Sequence, residues 1–485
     1  MSSKHISSTD DQQCIQQFVK RLNQLKPVLK IGFVNEIIVS TLKANLPDVM
    51  QGELCEIETS TGGIVLGEVI AFNKNEATIS CLQAVTGITL GAKVIPLGRQ
   101  HCIKAQEHLF SAVLDGMGRH MDDPHNRRLG VLSNSDDAIP VLREAPPATQ
   151  RPPIESIFQT QVKVIDGLLT LGVGQRLGIF APPGCGKSTL MAQIVRGAKV
   201  DAVVFGLVGE RGRELREFME REISEEIRKK SFFVCATSDK SPIERVRSAF
   251  TATSIAEYLR DQGKSVLLVV DSLTRLARAQ REIGLMAGEP ATASGFTPSV
   301  YSILPELIER SGRTVKGSIT AVYTVLMEGE RLEDDPIAGE AKSLLDGHII
   351  LSSKLVERNH FPAIDPLRSL SRVMSNVAAP RLQAVASVAR RAYALYQEVE
   401  LLIRLNEYSQ GADVLVDEAV RIKPLLDEWC KQSRFQPESI DVSSRNLEKI
   451  FAHFFSKSFI ELITETKVSF KAKSSINTIY QIAGF

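Results

Sequence analysis

The chain has 485 residues, of which 43% are hydrophobic and 24% charged, which predicts a globular protein of two or three domains and excludes wholesale disorder. Its 58 basic and 57 acidic residues leave a net charge of +1, so overall charge favours neither nucleic acid nor an anionic membrane as main partner. The seven cysteines are too scattered for a disulfide framework or a zinc site and indicate thiols in a reducing cytosol: Cys14, Cys55, Cys81, Cys102, Cys185, Cys235 and Cys430.

Residues 1–29 form the first predicted element. The N-terminus has no apolar run of signal-peptide type, and no run in the chain approaches the ~18 apolar residues of a membrane helix, so we expect a cytoplasmic protein. Apolar side chains at helical spacing predict a short amphipathic helix that ends before Pro27: Cys14, Ile15, Phe18, Val19, Leu22 and Leu25. Its narrow face must pack on the barrel domain, on a neighbouring subunit as an oligomerisation segment, or on the surface of a larger apparatus or a membrane; alternatively, the segment is a frayed tail.

The rest of the chain divides by sequence texture into four segments. Residues 30–100 hold short β-type runs broken by Gly, Asn and Pro, which predict a small β-barrel. Residues 101–159 are rich in Pro, Asp and Arg and indicate a linker or crossover. Residues 160–375 alternate β-type runs with helical patterns, which predicts a parallel sheet covered by helices. Residues 376–485 are mostly helical in pattern and end in an extended tail.

A phosphate-binding loop is predicted in residues 178–191, GIFAPPGCGKSTLM, between a strand and a helix. The segment departs from the phosphate-loop pattern only at its first position, where Ala181 replaces the usual glycine. Lys187 would reach the β and γ phosphates of a nucleotide, and the hydroxyl of Ser188 would ligate Mg²⁺. The alternative is a glycine-rich turn with a chance lysine. The candidate binding residues are Gly184, Cys185, Gly186, Lys187, Ser188 and Thr189.

Two carboxylates follow apolar strands. Asp271 ends SVLLVVD and could hold Mg²⁺ through water. Glu210 ends VFGLVGE and could polarise a water for attack on the γ phosphate, or it could be a surface residue paired with Arg211, Arg213 or Arg216.

Two further candidates carry weaker signals. Arg372, in LRSLSRVM, could project into the site of a neighbouring subunit, although spacing alone favours a solvated arginine. Phe361, in NHFPAID, could stack on an adenine or be a core residue.

These segments together resemble the catalytic ATPase of type III protein secretion systems, a family that includes the flagellar export ATPase and is related to the β subunit of rotary ATP synthases. The resemblance is carried by GIFAPPGCGKSTL, GLVGERGRELREF, VVDSLTRLARAQREIGLMAGEP, KGSITAVYTVLMEGE, LLDGHIILS and FPAIDPLRSLSRVM. It runs from about residue 30 to Gln432. It implies an α/β fold with a RecA-like P-loop core, an N-terminal β-barrel and a C-terminal helical domain, and it makes Ala181 a family feature.

The resemblance also implies roles at matching positions. Glu210 would be the catalytic carboxylate, and Asp271 the second acid of the magnesium site beside Ser188. Arg372 would be an arginine finger entering the adjacent subunit's site, and Phe361 the adenine platform. ATP and Mg²⁺ are the implied cofactors.

The implied activity is ATP hydrolysis by a homohexamer that drives chaperone release and substrate unfolding for export. The implied partners are stalk and regulator proteins, secretion chaperones, effector substrates and the inner membrane, where the enzyme would be peripheral. The segment LYQEVELLIRLNEYSQGADVLVDEAV favours the injectisome branch over the flagellar one.

Two segments depart from the family pattern. Thr292 to Ser294 stand where the family carries a basic stretch, so its pore-loop charge is not carried over. The roughly fifty residues after Gln432 resemble the family only weakly.

Three other functions remain as alternatives. A rotary ATPase subunit would need a partner chain. A ring helicase like the terminator Rho would need exposed aromatics and basic residues in its N-terminal domain, where residues 30–100 offer only Phe33 and Phe72 as aromatics. A non-catalytic ring subunit conflicts with Lys187, Glu210 and Asp271. We expect no nucleic acid partner.

Overall fold

The computed structural model describes residues 30–83, 85–104, 110–121, 138–292, 295–329 and 331–452. The helix predicted within residues 1–29, the tail beyond Ala452, and Ala293 and Ser294 of the departing segment lie outside these ranges. The chain forms two compact units, divided after Gln100.

The first unit is a closed antiparallel barrel with the strand order β1-β2-β5-β4-β3-β6. Inward-facing apolar side chains such as Val34, Leu42 and Ile57 fill it, because alternate residues of a strand point to opposite faces. The six strands are β1 Gly32–Ile38, β2 Thr41–Asn45, β3 Glu53–Glu58, β4 Ile64–Phe72, β5 Glu76–Cys81 and β6 Lys93–Gln100.

The second unit is built on a nine-stranded sheet with the order β19-β18-β12-β17-β15-β13-β14-β8, in which β16 pairs with β17. The pairs from β18 to β8 are parallel. Its strands are β8 Val113–Asp115, β12 Arg176–Ala181, β13 Ala202–Glu210, β14 Ser231–Thr237, β15 Ser265–Asp271, β16 Gly312–Arg313, β17 Ser318–Leu326, β18 Gly347–Ile350 and β19 Leu370–Ser371. Two small ladders pair β7 Cys102–Ile103 with β9 Ile139–Pro140 and β10 Ile157–Phe158 with β11 Leu171–Gly172.

Helices cover this sheet, as a parallel sheet with long apolar strands requires. The long helix α5 contacts β13, β14 and β15, and α6 contacts β17 and β13. The helices of this region are α1 Lys163–Leu168, α2 Lys187–Gly197, α3 Gly212–Glu217, α4 Glu225–Arg228, α5 Pro242–Asp261, α6 Leu273–Met286, α7 Pro298–Ile308, α8 Pro336–Leu344, α9 Ser353–Glu357 and α10 Met374–Val377. A π-helical turn, Phe218–Glu222, follows α3.

Three helices follow the sheet: α11 Pro380–Arg404, α12 Val414–Cys430 and α13 Ile440–Ala452. They contact one another and also α1. Gly167 in α1 makes this contact close, since a Cβ atom there would lie 2.7 Å from the indole of the buried Trp429. The loop between α12 and α13 is thereby brought to the helix that carries the phosphate-loop lysine.

The structure confirms the predicted fold class of barrel, parallel-sheet core and C-terminal helices. The boundaries of the five predicted segments stay predictions, although part of 101–159 enters the core through β8, which pairs with β14. Within the described ranges, the cysteines form no disulfide with one another, and no helix combines the length and apolar character needed to cross a bilayer.

Candidate functional site

The glycine loop joins β12 to α2 at the carboxyl edge of the sheet. Gly184 and Gly186 have φ angles of 79° and 80°, in the left-handed region that favours glycine. No side chain caps α2 by a hydrogen bond among the described residues, and its first turn holds no acid. Amide groups at such a helix start, together with the helix dipole, bind anions. The loop is therefore suited to a phosphate.

Three charged side chains converge beside this loop. Strands β12, β15 and β13 are parallel and close in the sheet order, so Asp271 and Glu210, at the ends of β15 and β13, lie on the loop's edge. The ammonium of Lys187 contacts Oδ1 of Asp271 and lies 4.0 Å from Oε1 of Glu210. The three side chains are only 5 to 12% exposed. The chain thus holds one cation and two carboxylates in a largely buried group.

Two residues that the sequence did not single out position these carboxylates. Thr324, on β17 between β12 and β15, donates its hydroxyl to Oδ1 of Asp271 at 2.6 Å. Arg275, in the first turn of α6, forms an ion pair with Glu210. Arg275 lies four residues beyond Asp271, so the only available signal was its place in the motif DSLTR.

The environment shifts the acidity of the Glu210 carboxyl. Burial raises its pKa, and the nearby charge of Asp271 acts in the same direction, against the opposing effects of Arg275 and Lys187. Burial alone would lower the pKa of Arg275, but its hydrogen bond to Glu210 and that carboxylate's charge raise it. A carboxylate with a raised pKa is a stronger base, which suits a group that accepts a proton from water.

The alternative of a surface ion pair for Glu210 is not what the structure shows. Arg211, Arg213 and Arg216 pair instead with three other acids, Glu214, Glu217 and Glu220, at 3.2, 3.2 and 2.8 Å. These pairs are exposed, whereas the Glu210 side chain is 11% exposed.

The side chains near the loop fit Mg²⁺ rather than a metal held by protein alone. The described residues contain no group of three or more His, Cys, Asp and Glu arranged as metal ligands. Ser188, the second residue of α2, is exposed, and Asp271 is the buried carboxylate next to Lys187. Mg²⁺ is commonly bound through one or two such groups together with substrate phosphates and water.

A mostly apolar cavity of about 310 Å³ borders the glycine loop. Phe361 lines it and is 42% exposed. Its other walls come from the loop and α2 (Cys185, Gly186, Thr189) and from the loop after α12 (Gln432, Ser433, Arg434). Its size falls at the lower end of small-molecule sites. No local pattern in the sequence pointed to the last three residues.

Arg372 lies away from this group. It follows β19, which is antiparallel to β18 with Ser371 opposite Gly347, the first residue of β18. Gly347 in turn lies opposite Leu177, near the start of β12. Arg372 is therefore near the start of β12, and ~13 Å of strand, from Leu177 to Ala181, lies between that level and the loop. Arg372 is exposed, and its guanidinium donates to the backbone carbonyl of Lys342 at 3.5 Å.

Comparison with known proteins identifies the family of the chain. Residues 36–98 and 161–371 match the beta-barrel and nucleotide-binding domains of the ATP synthase alpha/beta family, and residues 378–449 match the T3SS EscN ATPase C-terminal domain. The type 3 secretion system ATPase of Pseudomonas syringae pv. syringae is 46% identical over 421 residues, which cover 86% of this chain and 93% of that protein. The chain belongs to the type 3 secretion system ATPase family.

This ATPase also resembles flagellar relatives and solved structures. The flagellum-specific ATP synthase of Treponema pallidum is 40% identical over 412 residues, which cover 85% of this chain and 91% of that protein. The assembled ATPase EscN of enteropathogenic E. coli is 41% identical with a TM-score of 0.80, and EscN in complex with its central stalk EscO has a TM-score of 0.77. Each match covers 86% of this chain and 99% of the EscN chain.

The comparisons establish an ATP-hydrolysing enzyme. They also extend the family match beyond Gln432, the limit predicted from the sequence. The C-terminal domain match runs to residue 449, so the expectation that the resemblance weakens after Gln432 is wrong for the part up to α13. Helix α13 packs on α1 and α12, so it belongs to the same helical unit as the C-terminal helices that precede Gln432.

Proposed function

We propose that this type 3 secretion ATPase hydrolyses Mg²⁺-bound ATP in a homohexameric ring and that the hydrolysis powers protein export. The observation that carries the catalytic part is the convergence of Lys187, Asp271 and Glu210 on the glycine loop. Phosphoryl transfer needs these parts in one place: a phosphate cradle, a cation, a metal-site acid and a group that orients water.

Each residue has one task in the proposed reaction. Lys187 binds the β and γ phosphates, and the amides at the start of α2 hold the phosphate chain. Ser188 and Asp271 would hold Mg²⁺, which when bound neutralises charge on the phosphates. Glu210 orients a water and accepts its proton, and Arg275 fixes the direction of that carboxylate. Phe361 packs against the base of the nucleotide in the apolar cavity.

Substitution of Lys187 tests this site. In Lys187→Ala the nucleotide loses the cation on its phosphates, so we expect hydrolysis to fall to background and nucleotide affinity to weaken. The matched control is Lys199→Ala, an exposed lysine just beyond the same helix, which should behave as wild type. Both are measured by phosphate release and nucleotide titration. Wild-type turnover in Lys187→Ala would contradict the proposal.

The place of Arg372 supports a ring. This residue is exposed and is near the start of β12, whereas its own glycine loop follows the end of that strand, so we assign it to the site of another copy. An arginine supplied in this way stabilises charge on the transferred phosphoryl group. The assembled state of EscN, together with its central stalk, supports a hexamer and a stalk partner for this chain.

Mixing two inactive variants tests the contribution across subunits. Arg372→Ala should bind ATP and assemble but lose ~10³-fold in turnover, because the developing phosphoryl charge loses its cation. Mixed with Lys187→Ala, it should recover activity at interfaces that pair an intact loop with an intact Arg372. Subunit exchange is measured separately by fluorescence transfer between labelled chains. Full activity of Arg372→Ala alone would return this residue to a solvated surface role.

We further propose that the ring releases chaperones and unfolds effector substrates, and that it works at the inner membrane with stalk and regulator proteins. The support is the family and the greater identity to an injectisome relative, 46% against 40% for a flagellar one. Activity of the homo-oligomer without a partner chain, and no stimulation by single-stranded RNA or DNA, would separate this enzyme from a rotary subunit and a ring helicase.

A further inference from the structure

The loop between α12 and α13, residues 431–439, forms one wall of the apolar cavity. Gln432, Ser433 and Arg434 line the same space as Phe361 and the glycine loop. At the near end, Gln432 is fixed by its neighbours. Its backbone N–H donates to the carbonyl of Phe361 at 2.9 Å, and its side-chain amide donates to the carbonyl of Gln161 at 2.8 Å.

Two residues further along the loop, Arg434 is held by one carboxylate that it shares with Arg196. Nη1 of Arg434 lies 3.1 Å from Oε1 of Glu222, and Nη2 of Arg196 lies 3.5 Å from Oε2 of the same residue. Arg196 also donates to the backbone carbonyl of Arg434 at 2.6 Å. The guanidinium groups of Arg196 and Arg434 lie 5.5 and 4.6 Å, respectively, from the ring centroid of Phe435. The Glu222 side chain is 20% exposed, so its charge is only partly screened.

This cluster connects three elements: α2, the segment after β13, and the 431–439 loop. Arg196 lies in the last turn of α2, the helix that begins with Lys187. Glu222 ends the π-helical turn of the segment that starts after Glu210, and Phe218 of that turn packs on Phe205 of β13 with ring centroids 5.6 Å apart. The 431–439 loop joins the C-terminal helices to both.

We propose that Arg434 is a positioning residue for the nucleotide, which acts through Glu222 and Arg196 to hold the 431–439 loop against the base cavity. The proposal rests on the proposed function of that cavity as the site of the base. It follows that the Arg434–Glu222 pair contributes to the binding of a nucleotide but not to the binding of its phosphates alone.

The test compares a ligand that has a base with one that has none. The full chain is titrated calorimetrically with ADP and with inorganic pyrophosphate. Arg434→Gln and Glu222→Gln should each raise the Kd for ADP roughly threefold to fivefold, the size expected for a half-exposed ion pair, and leave that for pyrophosphate unchanged. The double variant should lose no more than Glu222→Gln alone, because that substitution already removes the Arg434–Glu222 pair together with the Arg196–Glu222 pair.

Three further measurements separate positioning from general stability. Arg434→Lys, which keeps the charge, should restore most of the ADP affinity. KM for ATP should rise with the Kd while kcat stays within about twofold. The matched control is Arg381→Gln, which breaks an exposed bidentate pair with Glu448 elsewhere in the C-terminal helices. It should leave the Kd for ADP and the Kd for pyrophosphate unchanged.

Unchanged ADP affinity in Arg434→Gln, or equal weakening of ADP and pyrophosphate, would overturn the inference. Failure of the proposed function gives a different result. In that case Lys187→Ala would bind pyrophosphate as tightly as wild type does.

Discussion

The phosphate end and the base end of the proposed nucleotide site are built in opposite ways. At the phosphate end, charged side chains from the ends of neighbouring parallel strands meet around a glycine loop, and their geometry is set by the sheet register. At the base end, mostly apolar walls come from three segments, the loop with α2, the stretch around Phe361, and the loop after α12.

This difference predicts that the phosphate end governs mainly the rate of the reaction and the base end mainly the affinity for ATP. The phosphate end holds every group assigned to the reaction within the chain, so its substitutions should act on kcat, and substitution of Lys187 on nucleotide affinity as well. The base end contacts only the non-reacting part of ATP, and interactions of that kind, equal in ground and transition states, act on KM. The predictions below test this division.

Among the residues that position or line the site without reacting, the largest effect is expected for Arg275. In Arg275→Gln the buried Glu210 loses its ion-pair partner, so kcat should fall about a hundredfold as the base is misplaced. Because Arg275 lowers the pKa of Glu210, its removal should raise that pKa and move the acid limb of the kcat profile to higher pH. The matched control is Arg278→Gln, one turn along α6, which pairs with the exposed Glu328. An acid limb that stays in place would show that Arg275 does not govern Glu210.

A smaller effect is expected at the base end. Phe361→Ala should raise KM for ATP about tenfold, the scale of a lost base–aromatic contact, with kcat within about twofold. Phe361→Tyr keeps the ring and should retain wild-type KM. Steady-state kinetics over a range of ATP concentrations gives both constants. A drop in kcat equal to the rise in KM would break the proposed division between the two ends.

The same contrast explains what the sequence could predict. The glycine loop, Glu210 and Asp271 each stand at a strand end inside a short motif, and the parallel sheet follows from the alternation of strands and helices. Thr324, Arg275 and the three residues Gln432 to Arg434 could not be found in this way, because their proximity to the site depends on strand order and on the packing of α12 and α13 against α1. The sheet pairing also places Arg372 near the start of β12, away from its own loop. Sequence spacing alone could not predict this position.

The most direct test of the central claim, that Glu210 is the catalytic carboxylate of an ATPase site at this edge of the sheet, is the comparison of ATP binding and turnover in Glu210→Gln. The amide keeps the shape of the side chain but cannot accept a proton from water. We expect ATP affinity close to that of wild type and turnover lower by ~10³-fold. The control is Glu217→Gln, an exposed glutamate on α3 that pairs with Arg213. Wild-type turnover in Glu210→Gln, or loss of ATP binding with it, would contradict the account.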